Sequence, residues 1–298
     1  MKVFVTGATG FVGKHVAARL IADGHEPVCL VRDAGSDAAQ GLRHLGARLV
    51  TGTITSPEDV IAGAGGTDAT IHLVGIIFER RGASFQQVHV EGTINMLAAA
   101  RTAGSSRFIH MSALGAGENA VSAYLKTKWT AEHAVIASGL DYTILRPSII
   151  YGPGGEFIDM LLGQARRLPL LPVIGDGRYL MQPVSVSDVA QVFSAALTNQ
   201  KSINRIYDVG GPSPLTYNEM LDTVCRALGK KRLKLHIPVA VMRLIAGVSE
   251  KTMSKPFLTT DQIAMLLQGS TGDISGLRQD FSTEPVDFPG GLASLLQA

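Results

Sequence analysis

Short apolar runs alternate with longer amphipathic runs through the first half of the chain. Runs rich in β-branched and aromatic residues recur at residues 2–6, 27–31, 48–51, 70–74, 107–112 and 141–146, the pattern of strands buried on both faces. Between them apolar positions return every three or four residues, as at Val12, Val16, Leu20 and Ile21. That spacing puts them on one face of a helix. Helices are therefore predicted to start near Phe11, Asp37, Pro57, Ser84 and Ser122, with Ser36-Asp37 capping the second. Regular alternation of strand and helix predicts parallel βαβ units, hence an α/β class with a doubly wound parallel sheet.

After Pro147 the texture changes. Tyr151-Gly-Pro-Gly-Gly is a turn cluster, and residues 163–177 are broken by glycine and proline. Residues 187–197 read as a helix with Asp188 in its first turn, and 205–209 as a strand ending in Gly210-Gly211-Pro212. Thr216 with Glu219 forms a capping-box pattern, and further helices are predicted over 237–253 and 259–267.

The first strand breaks into Gly7, Gly10 and Gly13, spaced GxxGxxG, and a helix follows at once. Strand, glycine turn and helix in that order predict a dinucleotide site. Gly7 permits the tight turn, Gly10 lets backbone approach a pyrophosphate, and Gly13 lets helix pack on sheet. The helix N-terminus offers free N–H groups and a positive dipole end to the phosphates. On this reading residues 1–150 form the dinucleotide-binding domain, with 183–200 returning to it. Residues 151–182 and 201–298 form a smaller C-terminal lobe for a substrate or partner.

Composition narrows the picture further. With 298 residues, 46% of them hydrophobic, a large core is easily filled, and a net charge of +2 gives no reason to expect nucleic acid as a partner. Cys29 and Cys225 fall inside predicted elements and read as small core residues. The histidines show no zinc-ligand spacing, so no metal site is expected, and His72 and His110 in strand patterns read as packed residues. Neither a signal-peptide pattern nor a membrane-length apolar run is present, which makes a soluble, cytoplasmic protein the expectation. Lys230-Lys231-Arg232 leads into the apolar stretch Ile237-Pro-Val-Ala-Val-Met-Arg-Leu-Ile-Ala246. That stretch reads first as a core helix of the smaller lobe, with a peripheral contact to a membrane or protein partner as the alternative.

Two further signals carry chemistry. The second strand ends Leu30-Val31-Arg32-Asp33. Arg32 stands where a guanidinium can pair with a 2′-phosphate, which favours NADP(H), while Asp33 on the ribose would leave NAD(H) open. Tyr124 and Lys128 lie four apart on a predicted helix, hence on one face, following a strand that ends in Ser112. There Lys128 can lower the phenol pKa and bind the nicotinamide ribose, Tyr124 can exchange a proton with a substrate oxygen, and Ser112 can hydrogen-bond that oxygen.

These motifs resemble the short-chain dehydrogenase/reductase superfamily in its extended, epimerase-like branch. The residues involved are Thr6-Gly7-Ala8-Thr9-Gly10-Phe11-Val12-Gly13, Asp68-Ala-Thr-Ile-His72-Leu73, Ser112, Tyr124 with Lys128, Leu145-Arg146-Pro147 and Gln182-Pro183-Val184-Ser185-Val186-Ser187-Asp188-Val189-Ala190. Within the branch the chain is most similar to the atypical group of the 39 kDa accessory subunit of respiratory complex I, through Phe108-Ile-His-Met-Ser-Ala-Leu-Gly-Ala116, Tyr207-Asp-Val-Gly-Gly-Pro212 and Leu258-Thr-Thr-Asp-Gln262. The resemblance implies a Rossmann sheet. It also implies a cofactor lined by Gly7, Thr9, Gly10, Phe11, Val12, Gly13, Arg32, Thr53, Ile54, Leu73, Val74, Gly75, Lys128, Pro147 and Ser148. Three departures stand out. Thr53 replaces the aspartate that extended members place after the third-strand glycine, and His89 replaces the asparagine before Val90-Glu91-Gly92-Thr93. Ser112 and Tyr124 are only twelve positions apart, too close for the substrate loop of sugar-nucleotide epimerases. The expected function is Tyr/Lys-assisted reduction of a small apolar carbonyl or quinone-like compound. A non-catalytic NADPH-binding accessory or sensor protein is the alternative, and a sugar-nucleotide epimerase or dehydratase is disfavoured.

Overall fold

The computed structural model describes every residue except Arg81, Ser106, Ser254, Lys255, Phe257 and Ala298. Strands β1 (Lys2–Thr6), β2 (Glu26–Val31), β3 (Arg48–Thr51), β4 (Ala69–His72), β5 (Arg107–Met111) and β6 (Asp141–Pro147) form one parallel sheet in the order β3-β2-β1-β4-β5-β6. Arg205–Val209 adds a seventh parallel strand beside β6. The order reverses between β1 and β4, and ligands of such sheets bind at the carboxyl ends of the strands next to that reversal.

Helices α1 (Phe11–Ala22), α2 (Asp37–His44), α3 (Pro57–Ala64), α4 (Gly92–Thr102) and α5 (Ala123–Ile136) are the crossovers. Alternate strand residues point to opposite faces, and both faces are covered. Val3 and Val5 join a cluster with Val16 and Leu20 of α1, whereas Phe4 joins Val60, Met96 and Val135 from α3, α4 and α5. This double burial is why the strands read as unbroken apolar runs. Ser36, Ser56 and Ser122 accept the backbone N–H of Ala39, Asp59 and Leu125, capping α2, α3 and α5.

The remaining chain forms α6 (Glu156–Arg167), α7 (Val186–Ala195), α8 (Tyr217–Ala227), α9 (Val239–Thr252), α10 (Thr260–Gln268), α11 (Ser275–Phe281) and α12 (Phe288–Gln297). Short strands pair as β7 (Ile150–Tyr151) with β10 (Val184–Ser185), β8 (Leu170–Ile174) with β13 (Leu233–Ile237), and β9 (Leu180–Met181) with β12 (Leu215–Thr216); β11 is the seventh sheet strand, Arg205–Val209. Helix α7 packs on α1 and so belongs to the sheet. A second core gathers Leu161 of α6, Val173 of β8, Leu221 and Val224 of α8 and Leu292 of α12.

Several sequence expectations need correction. Pairing of β4 with β1 ends at His72 rather than at residue 74, because β1 itself turns away at Gly7. The fourth crossover enters through a π-helix, Gln86–Glu91, before α4. Ile237 ends β13, and Pro238 delays the next helix to Val239. Helix α6 was hidden by the glycine and prolines around it, although Ile158, Leu161, Leu162 and Ala165 hold helical spacing and are buried. Met160, between them, is exposed. The largest correction concerns α9, which is no core helix. It buries only Ala246 and Ser249 and turns Val241, Leu244, Ile245 and Val248 to solvent.

Candidate functional site

The glycine turn sits at the strand-order reversal. Gly7 has φ +80°, a left-handed conformation that favours glycine, and a Cβ there would lie 3.1 Å from the Leu73 carbonyl carbon and the Val74 nitrogen. At Gly13 a Cβ would run into the Gly7 carbonyl oxygen and lie 2.6 Å from Ala8 Cα, so α1 can approach β1 only with glycine there. Gly10 is the N-cap of α1 and supplies no side-chain acceptor to the N–H groups of the first turn. The turn cluster after β7 closes against this helix end: His15 Nε2 lies 3.1 Å from the Pro153 carbonyl, and a Cβ on Gly155 would meet the Phe11 ring at 2.9 Å. An uncapped helix end beside a backbone cradle fits a diphosphate. The residues that would hold it are Gly7, Thr9, Gly10, Phe11, Val12 and Gly13.

Beyond β2, Arg32 is exposed and its side chain has no hydrogen bond or ion pair among the described residues. Asp33 is occupied locally: its Oδ1 accepts the Gly35 N–H at 2.8 Å, forming an Asx turn. At β3 the Thr53 N–H donates to Asp59 Oδ2 at 2.9 Å, and Thr53 Oγ1 lies 3.0 Å from Thr55 Oγ1. Ile54 is buried, its carbonyl accepting from Asn95 Nδ2 at 2.9 Å. Sequence reading singled out neither Asp59 nor Asn95, since both act through tertiary contacts.

At the other end Gly75 leaves the sheet after Leu73 and Val74, and a Cβ on it would stand 3.5 Å from Lys128 Nζ and 3.6 Å from His89 Nε2. Lys128 is 1% exposed; Nζ donates to the Met111 carbonyl at 2.7 Å, and burial draws its pKa down to about 8. Ser112 follows Met111, is 2% exposed, and its Oγ has no hydrogen-bond partner among the described residues. Tyr124, one turn before Lys128, packs edge-on against His89 at 5.3 Å and Phe85 at 5.9 Å. Burial pushes its phenol up to about 12, and no hydrogen bond joins it to Lys128. The expected lowering of the phenol pKa by Lys128 is therefore corrected, the ammonium being directed at the Met111 carbonyl.

His89 acts as a strut. Its Nε2 accepts the Ile76 N–H at 3.0 Å, which leaves the proton on Nδ1 to be donated to Thr127 Oγ1 at 2.9 Å. Burial, with Lys128 nearby, lowers its pKa to about 3, so the ring is neutral. Beneath it His72 and His110 stack at 5.5 Å on adjacent strands, and His72 Nδ1 contacts Thr6 Oγ1 at 2.7 Å. Pro147 accepts the Leu114 N–H, at 3.0 Å, while the Ser148 hydroxyl is directed to the Ser270 carbonyl at 2.8 Å, tying the strand end to the later lobe. Gln182 does the same, donating to the Gly211 carbonyl at 2.7 Å and accepting the Gly272 N–H at 3.0 Å. Among the described residues no group of three His, Cys, Asp or Glu is arranged to hold a metal.

Fold and site together define a dinucleotide-binding protein of the doubly wound class. Residues 3–210 match the NAD dependent epimerase/dehydratase family, and the chain belongs to it. The family is nicotinamide-dinucleotide dependent, and the extended short-chain dehydrogenase/reductase resemblance of the sequence holds. The chain is similar to a ceramide reductase of Caulobacter vibrioides, 33% identical over 79% of this chain and 73% of that protein. It is also similar to the mitochondrial NADH-ubiquinone oxidoreductase 40 kDa subunit of Neurospora crassa, 26% identical over 99% of this chain and 78% of that one. Among solved structures, the UDP-glucose 4-epimerase of Thermotoga maritima with UDP-glucose superposes with a TM-score of 0.77 at 21% identity, covering 100% of this chain and 98% of the other, a likeness of fold.

Proposed function

We propose that this chain is an NADP(H)-dependent reductase of an apolar carbonyl or quinone-like compound. The observation that carries the reading is the gathering of Lys128 and His89 beside Gly75, with Tyr124 packed edge-on against that His89, next to a buried Ser112 hydroxyl that no described residue satisfies. A nicotinamide dinucleotide, when bound, supplies the hydride. Ser112 Oγ is free to donate to a carbonyl oxygen. Burial pushes the Tyr124 phenol up to about 12, so it carries its proton at neutral pH and can pass it to a substrate oxygen. Lys128 stands ready for a ribose hydroxyl at the cofactor end. The loop from Ser112 to Tyr124 folds into tight turns, with Ala116 N–H on the Ala113 carbonyl at 3.1 Å and Ala120 N–H on the Gly117 carbonyl at 3.1 Å. It leaves little length to hold a nucleotide sugar. Ile77 and Val121, on the segments that carry Gly75 and Ser122, are exposed apolar side chains. The similarity to a ceramide reductase agrees with a lipid-like carbonyl compound.

The test is NADPH oxidation followed by absorbance against a panel of long-chain ketones, aldehydes and quinones. Tyr124→Phe should reduce turnover at least a hundredfold while leaving NADPH affinity within about threefold. A variant retaining full rate removes Tyr124 as proton donor. A second reading, a non-catalytic NADPH-binding accessory protein, is favoured by the absence of a Tyr124–Lys128 hydrogen bond and by the similarity to a respiratory-complex subunit. NADPH raising the melting temperature with no turnover on any of the panel would select it.

A further inference from the structure

We propose that α9 and the outer face of the β8–β13 ribbon form a docking surface for an anionic lipid bilayer. The chain exposes its greasiest side chains there. Leu233 is 72% and Leu244 70% exposed, the highest values for large hydrophobic residues among those described, and Leu235, Val241, Ile245 and Val248 accompany them. These residues fall on two neighbouring elements. On β13 the inward-facing Lys234 reaches Asp222 of α8, while Leu233 and Leu235 face out, opposite Leu170 and Pro172 of β8. On α9, Val241, Leu244, Ile245 and Val248 follow the spacing of a single helical stripe.

Charge indicates the occupant. Residues 229–253 hold six lysines and arginines against one acidic residue, whereas the rest of the chain holds 21 against 24. That one acid, Glu250, is engaged, accepting from Thr260 N–H at 2.7 Å and Thr260 Oγ1 at 3.0 Å. Lys230, Lys231, Arg243 and Lys251 have no ion pair among the described residues. An apolar stripe with unpaired cations beside it lies in a bilayer interface, aliphatic groups among the acyl chains and cations at anionic headgroups. A second copy would bring the same positive charge against itself. The stretch contains no Trp, Tyr or Phe, the anchors that concentrate energy in protein interfaces. Nothing in α9 crosses the membrane: no described helix is long and apolar enough to do so. Through α10, whose Asp261 Oδ2 accepts the Tyr124 N–H at 3.3 Å, the surface adjoins the candidate site.

The experiment is co-sedimentation of the full chain with sucrose-loaded vesicles, without cofactor. Phosphatidylcholine vesicles are compared with vesicles carrying about one third phosphatidylglycerol. The wild type should bind the anionic vesicles at least tenfold more tightly and lose that binding in about 0.5 M salt. Leu244→Asp/Val248→Asp and, separately, Lys230→Glu/Lys231→Glu should each weaken it at least tenfold; both pairs change exposed side chains, and unchanged melting temperatures check the fold. No binding to anionic vesicles, or equal binding to both vesicle types in the wild type and the lysine variant, overturns the proposal. A dimer in sedimentation equilibrium that Leu244→Asp dissociates, or an acidic protein that the wild type binds in place of vesicles, overturns it as well. Because no turnover or cofactor enters the measurement, its failure is separate from failure of the reductase reading.

Discussion

At the scale of single residues, the cofactor question turns on Arg32. Its guanidinium is exposed and uncommitted, while the neighbouring Asp33 already holds the Gly35 N–H. A carboxylate engaged in a turn is a poor ribose ligand, and a free guanidinium is a good partner for a phosphate dianion. Arg32→Ala should weaken NADPH binding at least tenfold, about 1.4 kcal/mol, and leave NADH within about twofold. Fluorescence titration with the two cofactors checks this, and equal losses for both would remove the 2′-phosphate role. His89 shows the limit of reading residues singly. As a sequence feature it is a departure from the family's asparagine; in the fold it is a two-ended hydrogen-bonding strut.

At the scale of elements, the π-helix Gln86–Glu91 sets that strut. Its wider turn precedes α4 and presents His89 between the Gly75–Ile76 segment and α5. Such π turns recur at functional sites, where they redirect a side chain. His89→Phe keeps a ring against Phe85 and Tyr124 but loses both hydrogen bonds, leaving the Ile76 N–H without its acceptor. The expected cost is about 1–3 kcal/mol. Dinucleotide affinity should fall further than stability alone explains, because the Gly75 segment lines the candidate site. A variant with unchanged NADPH affinity and a lowered melting temperature would make His89 purely structural. Nitrogen chemical shifts of the His89 ring in the wild type should report the Nδ1-protonated tautomer.

At the scale of the whole molecule, the buried histidines link stability to pH. Burial holds His72 and His89 at about 3, and His110 well below the ordinary 6.5. The folded state keeps these rings neutral while the unfolded chain takes up protons below about 6.5. Stability is therefore full above that pH and is lost as pH falls from 6.5 towards 3. The urea midpoint should fall steadily between about pH 6.5 and 4. His110→Leu, which removes a ring with neither nitrogen partnered, should make that fall shallower without lowering the midpoint at pH 7. An unchanged slope would show that other groups govern acid unfolding.

Local pattern by itself determined the sheet half of the molecule. Continuous apolar runs, serine caps and the glycine turn are short-range signals, and each crossover is dictated by its neighbours in sequence. Ser36, Ser122 and the Thr216–Glu219 capping box behave as read, and so does the packing of Gly13 on the first turn. The later lobe was less legible because its elements are fixed by distant partners: β13 exists by pairing with β8, and α12 by packing on α8. Only the tertiary structure decided which apolar helix faces inward. The same helical spacing buries α6 and exposes α9, since periodicity defines a face and the neighbours alone determine whether that face is covered. The site divides in the same way. Gly7, Ser112, Tyr124 and Lys128 could be picked out by spacing. The direction of the Lys128 ammonium and the neutral state of His89 follow from burial and long-range hydrogen bonds, which no local pattern encodes.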